Sequence, residues 1–273
     1  MIHSYFIAGT DTGVGKTLVS AALLHKASQQ GYATFGLKPV AAGCLGTPPT
    51  NSDALLLQRH SSQKLDYEWH NPVALKAAIA PHIAAEQENC SKLLELDALV
   101  QSCHNSLTKA RQASGGSNTW QLIEGAGGWL VPLNRQHTLA DLALSLSTPV
   151  ILVVGLRLGC INHALLSAQA IQTKGLKLVG WVANSLSSDM KAEASNLEFL
   201  TQHFQQIGIQ CLGAIPYQAE LDFEESETRH QLPGTSIIAQ VAQKLTLPGQ
   251  PDSRTAVSRM HPDNRQGSQT RYV

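Results

Sequence analysis

Along this chain, short uninterrupted apolar runs alternate with longer stretches whose apolar positions recur at helical spacing. The runs are Tyr5–Ala8, Thr34–Lys38, Trp120–Ile123, Val150–Val154, Leu178–Ala183 and Cys211–Ile215. Each meets a residue that ends regular structure or carries chemistry: Gly9, Pro39, Glu124, Gly155, Asn184 and Pro216. Between the first two runs, Val19, Ala22, Leu23 and Ala27 fall on one helix face, and Gly31 supplies the stop. Further helical patterns occupy about Ser91–Arg111, Ile161–Lys174 and Lys191–Gln206. Pro39 disfavours helix at the residue before it, so Lys38 should close an extended segment beside the first strand. Continuous rather than alternating apolar runs mean strands covered on both faces. The pattern therefore predicts an α/β fold, a doubly wound, mostly parallel sheet with helices on both faces. The most apolar window, Leu142–Leu156, is broken by Pro149 and falls short of the roughly 20 residues of a membrane span. It reads as a helix end, a turn and a buried strand.

Composition narrows the function classes. The 273 residues hold 43% hydrophobic and only 15% charged positions, enough apolar material for one large core. We expect a single domain over residues 1–247 and a polar, aperiodic, disordered tail over 248–273. Twenty basic residues balance twenty acidic ones, so no long-range field favours nucleic acid or a membrane surface as partner. Five cysteines without a C-x-x-C pair fit neither a disulfide framework nor a zinc ribbon, and the first residues lack a secretion pattern. A cytoplasmic location is the expectation.

In doubly wound sheets ligands bind beyond the carboxyl ends of the strands, which here carry Gly9, Lys38, Glu124, Gly155 and Asn184. The strongest signal is Gly9-Thr10-Asp11-Thr12-Gly13-Val14-Gly15-Lys16-Thr17, a glycine loop that leaves a strand and opens a helix. Gly13 and Gly15 let backbone N–H groups turn toward phosphate oxygens, the helix N-terminus adds its positive end, and Lys16 supplies a cation. The Thr17 hydroxyl would complete a Mg²⁺ shell. Five residues separate Gly9 from Gly15-Lys16 where the usual form of this loop has four. Glu124, ahead of Gly125-Ala126-Gly127-Gly128, is one candidate carboxylate for that ion; otherwise it is a solvated strand-end acid. Asp53 is the other, with the alternative of an N-cap to a helix over Ala54–Arg59. Lys38, unless an exposed edge lysine, would bring a second cation to the γ-phosphate, which suits charge transfer more than storage. Asn184 could read an adenine edge or form a turn. His82 and His163 are expected to hydrogen-bond locally or pack.

Several separated motifs in one order make the chain resemble the dethiobiotin synthetase family over about residues 3–220. They are Gly9 to Thr17, Lys38-Pro39-Val40-Ala41, Asn51-Ser52-Asp53-Ala54, Glu124-Gly125-Ala126-Gly127-Gly128-Trp129, Gly159-Cys160-Ile161-Asn162-His163-Ala164, Trp181-Val182-Ala183-Asn184 and Gly213-Ala214-Ile215-Pro216. The resemblance implies a P-loop NTPase-like fold and an ATP-dependent ligase of biotin synthesis. It would join CO₂ and 7,8-diaminopelargonate through a carbamate that attacks the γ-phosphate. Lys16 and Lys38 would be catalytic, and Thr17, Asp53 and Glu124 would hold Mg²⁺. The nucleotide would meet Gly13, Val14, Gly15, Lys16, Thr17, Leu18, Asp53, Glu124, Gly125, Ala126 and Gly127. On the adenine side it would meet Asn184, Ser185, Pro216, Tyr217 and Gln218. Thr12, Lys38, Ala42 and Asn162 would contact the diamine, Asn162 across a homodimer interface. Two positions depart from the family: Ala42 stands where a Ser or Thr is frequent, and Ser185 where an acid can follow the Asn. A second reading is a regulatory ATPase switch of the partitioning or septum-positioning kind. Those proteins usually carry a second lysine five residues before Lys16, where this chain has Asp11.

Overall fold

The computed structural model describes residues 1–219 and 233–250; the predicted tail beyond residue 250 lies outside the described residues. The strands are β1 (Ile2–Gly9), β2 (Ala33–Leu37), β3 (Val40–Ala41), β4 (Val73–Ala74), β5 (Thr119–Glu124), β6 (Val150–Leu156), β7 (Leu178–Ser185) and β8 (Gln210–Ile215). Six of them form one sheet in the order β2-β5-β1-β6-β7-β8, all pairs parallel. The short β3 and β4 form a separate parallel pair that the apolar runs did not predict. The helices are α1 (Lys16–Gln29), α2 (Ser52–His60), α3 (Tyr67–His70), α4 (Pro81–Gln87), α5 (Leu96–Ala113), α6 (Leu139–Ser145), α7 (Cys160–Thr173), α8 (Glu193–Gln206) and α9 (Thr235–Lys244).

Alternation along each strand sorts side chains to two faces, and each face has its own core. Phe6, Ile123, Leu152, Val154 and Trp181 point to the side covered by α4 to α8. Ile7, Leu122, Ile151, Val153 and Val182 point to the side covered by α1, α2 and α9. The second core continues to Leu247, 3% exposed, and Thr246 N–H donates to the Leu212 carbonyl. No helix among the described residues is long and apolar enough to cross a membrane.

Three local expectations change. The helix expected over Ser91–Arg111 is a 3₁₀ turn, Ser91–Leu94, followed by α5, because Glu95 is extended (φ −63°, ψ 135°) between them. The helix expected from Lys191 starts at Glu193, since Ala192 takes φ +57°. Lys38 does close an extended segment, but its strand is not beside β1: β5 lies between, and this puts Glu124 in the middle.

Two histidines are buried on these elements. Burial and the nearby cations pull His60 down to about 4. Burial likewise takes His70 down to about 4, although its Nδ1–H donates to the Gly36 carbonyl at 2.7 Å. Between the unfolded value of 6.5 and about 4, the unfolded chain takes up protons that the folded chain refuses. Stability is therefore complete above pH 6.5 and falls as pH drops toward 4, by up to about 1.4 kcal/mol per pH unit per histidine. Urea denaturation from pH 7 to 4.5 should give that slope, and His70→Gln should make it shallower; an unchanged slope would remove His70 from the explanation.

Candidate active site

The phosphate loop connects β1 to α1. Gly15 takes φ +87°, and a Cβ there would sit 2.3 Å from Asn184 Nδ2. Asn184 comes from the end of β7, is buried, and donates from Nδ2 to the Val14 carbonyl at 3.1 Å. It is thus neither a turn residue nor a free amide, but a brace under the loop. Thr12 and Gly13 are exposed, Val14 is in the core, and Leu18 is half-buried against it.

Lys16 is 7% exposed, and its Nζ donates to the Asp11 carbonyl at 2.9 Å. Burial first, and then Lys38, pull its pKa to about 8. Lys38, far from an edge lysine, is 3% exposed. Its ammonium donates to Glu124 Oε1 at 2.7 Å and to the Gly125 carbonyl at 3.1 Å, and it forms an ion pair with Asp53 Oδ2 at 3.0 Å. Burial opposes its charge, but the two carboxylates win and hold it above the usual lysine value. The surrounding protein disfavours charge on Asp53 as well, yet Lys38 keeps that carboxyl below the usual range. The Asp53 carboxylate retains 40% side-chain exposure, which makes it the partner on the open side.

Glu124 is fully buried, not a solvated strand-end acid. Its Oε1 accepts from the Thr17 hydroxyl at 2.8 Å as well as from Lys38. Its Oε2 is buried without a hydrogen-bond partner among the described residues. A buried carboxylate oxygen left bare is costly, and a cation beside it removes the cost. Glu124, Asp53 and the Thr17 hydroxyl form an all-oxygen set of the kind Mg²⁺ takes together with substrate phosphates. The two lysines and two carboxylates cancel, so a polyphosphate entering here brings uncompensated charge unless a cation accompanies it.

The cap of α2 is not Asp53 but Asn51, whose Oδ1 accepts from the N–H groups of Asp53 (3.0 Å) and Ala54 (3.4 Å). With the capping duty taken by Asn51, the Asp53 carboxylate is available to Lys38. Ala42 is half-buried, and its carbonyl accepts from Asn51 Nδ2 at 3.3 Å. The lining glycines of the β5 loop lie against the phosphate loop: a Cβ on Gly127 would be 3.3 Å from Thr12 Oγ1. The N–H of Gly125 donates to the Ile7 carbonyl, and half-buried Ala126 packs on the core.

The remaining predicted residues are spread around this centre. Ser185 turns its hydroxyl to Glu193, 2.8 Å away at the start of α8. Pro216 is exposed, Tyr217 is half-buried, and Gln218 donates from Nε2 to the Pro216 carbonyl. Asn162 and His163 are exposed on the first turn of α7, while His82 Nδ1 is buried without a hydrogen-bond partner among the described residues.

A pair that no sequence pattern marks, between Asp11 and Arg157, ties the phosphate loop to the β6–α7 loop. The Asp11 carboxyl, also bonded by Thr12 N–H, lies below its usual range. Both side chains are 46% exposed, so the pair contributes little to stability. Arg157→Met should change the unfolding free energy by less than about 1 kcal/mol in urea; a larger loss would mean the pair is stronger than solvent screening allows.

A family model described as an AAA domain matches residues 3–225. An ATP-dependent dethiobiotin synthetase BioD from Cellvibrio japonicus is 54% identical over 78% of this chain and 89% of its own length. The ATP-dependent dethiobiotin synthetase BioD 1 of Escherichia coli is 46% identical over 81% of this chain and 93% of its own. Among solved structures, the MinC:MinD cell division protein complex of Aquifex aeolicus aligns over 97% of this chain and 100% of the matched one, at 14% identity and a TM-score of 0.47.

Proposed function

The chain belongs to the dethiobiotin synthetase family, and on that premise we propose the reaction and the residue roles that its carboxyl-edge site supports. It is an ATP-dependent ligase that makes dethiobiotin from 7,8-diaminopelargonate and CO₂. One amine adds CO₂ and loses a proton to give a carbamate, whose oxygen attacks the γ-phosphorus as the bond to ADP breaks. The second amine then attacks the carbamoyl carbon, phosphate leaves, and a cyclic urea closes.

The observation that carries the residue assignment is the Lys38–Glu124–Asp53 cluster beside the phosphate loop, buried at Lys38 and Glu124 and open at Asp53. Lys38, fixed by three partners, orients a cation at the point where carbamate and γ-phosphate meet. Reaching the phosphate requires it to give up one partner, and the more exposed Asp53 is the one to yield. Lys16 exchanges the Asp11 carbonyl for phosphate oxygens. Thr17, Asp53 and Glu124 would hold Mg²⁺, which when bound neutralises charge on the β- and γ-phosphates. Gly13 to Leu18 and Gly125 to Gly127 line the phosphates, and Asn184, Ser185 and Pro216 to Gln218 border the base. Thr12, Lys38, Ala42 and Asn162 face the diamine. The exposed first turn of α7 supports a homodimer in which Asn162 reaches the partner's substrate. The free thiols of Cys44, Cys90, Cys103 and Cys160 support a cytoplasmic location.

Incubation with ATP, Mg²⁺, ¹³C-bicarbonate and 7,8-diaminopelargonate tests this reading. Dethiobiotin carrying one ¹³C is expected by mass spectrometry. Absence of a labelled cyclic urea would remove the ligase assignment.

A further inference from the structure

Lys38 and Asp53 meet at 3.0 Å but come from different segments, one following β2 and the other in the first turn of α2. A hydrogen-bond chain, buried at Asn71 and partly buried at Tyr67, joins their backbones. The Asn71 amide donates from Nδ2 to the Lys38 carbonyl at 2.8 Å and to the Val73 carbonyl at 3.1 Å. Its Oδ1 accepts from the Tyr67 hydroxyl at 2.8 Å. That same hydroxyl oxygen accepts from the Asn51 N–H at 2.8 Å, and Asn51 Oδ1 accepts from the N–H of Asp53. Asn51 and Asn71 are 9% and 4% exposed, so water is a poor substitute for either bond. We propose that the Tyr67 hydroxyl is a positioning group that sets Lys38 and Asp53 in register, through Asn71 on one side and Asn51 on the other.

The chemistry of a hydroxyl fits the place: one donor goes to Asn71, and a lone pair goes to Asn51. No backbone group offers both. The helix that carries Tyr67, α3, has four residues and no side-chain N-cap bond, so its own hydrogen bonds do little to fix it. It is held by bonds to β2 and the residue after it: the His70 ring bonds the Gly36 carbonyl, Lys38 N–H donates to the His70 carbonyl at 2.7 Å, and the Lys38 carbonyl accepts from Asn71. Removing the hydroxyl leaves Asn71 Oδ1 and the Asn51 N–H unpaired at once and uncouples the two branches. The Asp53 branch bears on the ion site and the Lys38 branch on phosphate transfer. The inference rests on the roles given to those two residues above.

Tyr67→Phe keeps the ring and deletes only the shared oxygen. Fluorescent ADP binding, titrated with Mg²⁺ and repeated in EDTA, reads the Asp53 branch without needing turnover. The expected result is a half-saturating Mg²⁺ concentration raised about tenfold, with EDTA affinity within twofold of the parent. Steady-state kinetics reads the other branch: kcat should fall about tenfold while KM for the diamine changes less than threefold. Asn71→Ser cuts the Lys38 branch alone, so it should lower kcat and leave the Mg²⁺ midpoint in place; a merely structural role would move both together. Tyr5→Phe, whose ring packs on Trp120 in the other core, serves as the control and should match the parent. An unchanged Mg²⁺ midpoint in Tyr67→Phe, or equal effects of Asn71→Ser on both readouts, overturns the proposal. A parent protein that makes no dethiobiotin while the Mg²⁺ midpoint still shifts in Tyr67→Phe overturns the ligase reading and supports this coupling.

Discussion

Lys38→Met is expected to lower dethiobiotin formation roughly a thousandfold while nucleotide affinity stays within a few-fold. Removing one preorganised donor aimed at developing charge typically costs about 10²–10³ in rate. Lys38 also bridges two acids, so the loss here should lie at the upper end. In the proposed roles nucleotide anchoring falls to the glycine loop, Lys16 and the α1 N-terminus, so loss of Lys38 should leave binding in place. A second effect follows from burial. Glu124 has no exposed surface and an Oε2 without a partner among the described residues, so the variant leaves a buried carboxylate with the Thr17 hydroxyl as its remaining neutral donor. Breaking a buried pair from one side costs about 3–5 kcal/mol. Mg²⁺ should restore part of that loss by mass action. Rapid-quench turnover, fluorescent ADP titration and urea melts with and without Mg²⁺ check the three statements together. Undiminished turnover would take Lys38 out of the chemistry, and full parental stability would contradict the buried pairing.

Gly15→Ala should abolish nucleotide binding more completely than any charge change at the site. A Cβ at this position would be 2.3 Å from Asn184 Nδ2, and φ +87° is already unfavourable for an L side chain. Asn184 has little room to retreat, because it is buried and bonded to the Val14 carbonyl. The loop must therefore move, and with it the N–H groups that would face the phosphates. Affinity for ADP should fall more than a hundredfold by calorimetry, with the melting transition lowered. Pairing it with Asn184→Ala removes the clash but not the backbone strain, so binding should recover only in part. Parental affinity in Gly15→Ala would mean that the loop is not held as described.

The glycine loop, the place of Glu124 at a strand end and the parallel direction of the large strands were legible because they depend on local pattern: continuous apolar runs, glycines at fixed offsets and a Lys-Thr pair opening a helix. Sheet order was less so. Lys38 lies one strand away from β1 because β5, some eighty residues later, inserts between them, and nothing local encodes a non-local pairing. Whether Asp53 caps α2 or faces the ion site stayed open in the sequence for a related reason. Asn51 and Asp53 are both of types that cap helices, and only the fold places Lys38 at 3.0 Å from one of them. Tyr67 and Asn71 carried no signal at all, since a hydroxyl and an amide gain meaning only from the backbones they join. Balanced charge, which excluded polyanion binding by overall field, reappears at small scale: two lysines and two carboxylates cancel where a triphosphate would lie.

A ligase of this kind cleaves ATP only as the urea forms, whereas a nucleotide switch cleaves it without a second substrate. The two are separated by the rate of ADP release with and without 7,8-diaminopelargonate, at saturating ATP, Mg²⁺ and bicarbonate. ADP release should depend on the diamine and yield one dethiobiotin per ADP. ADP release at the same rate without the diamine, with no cyclic urea formed, would contradict the ligase assignment.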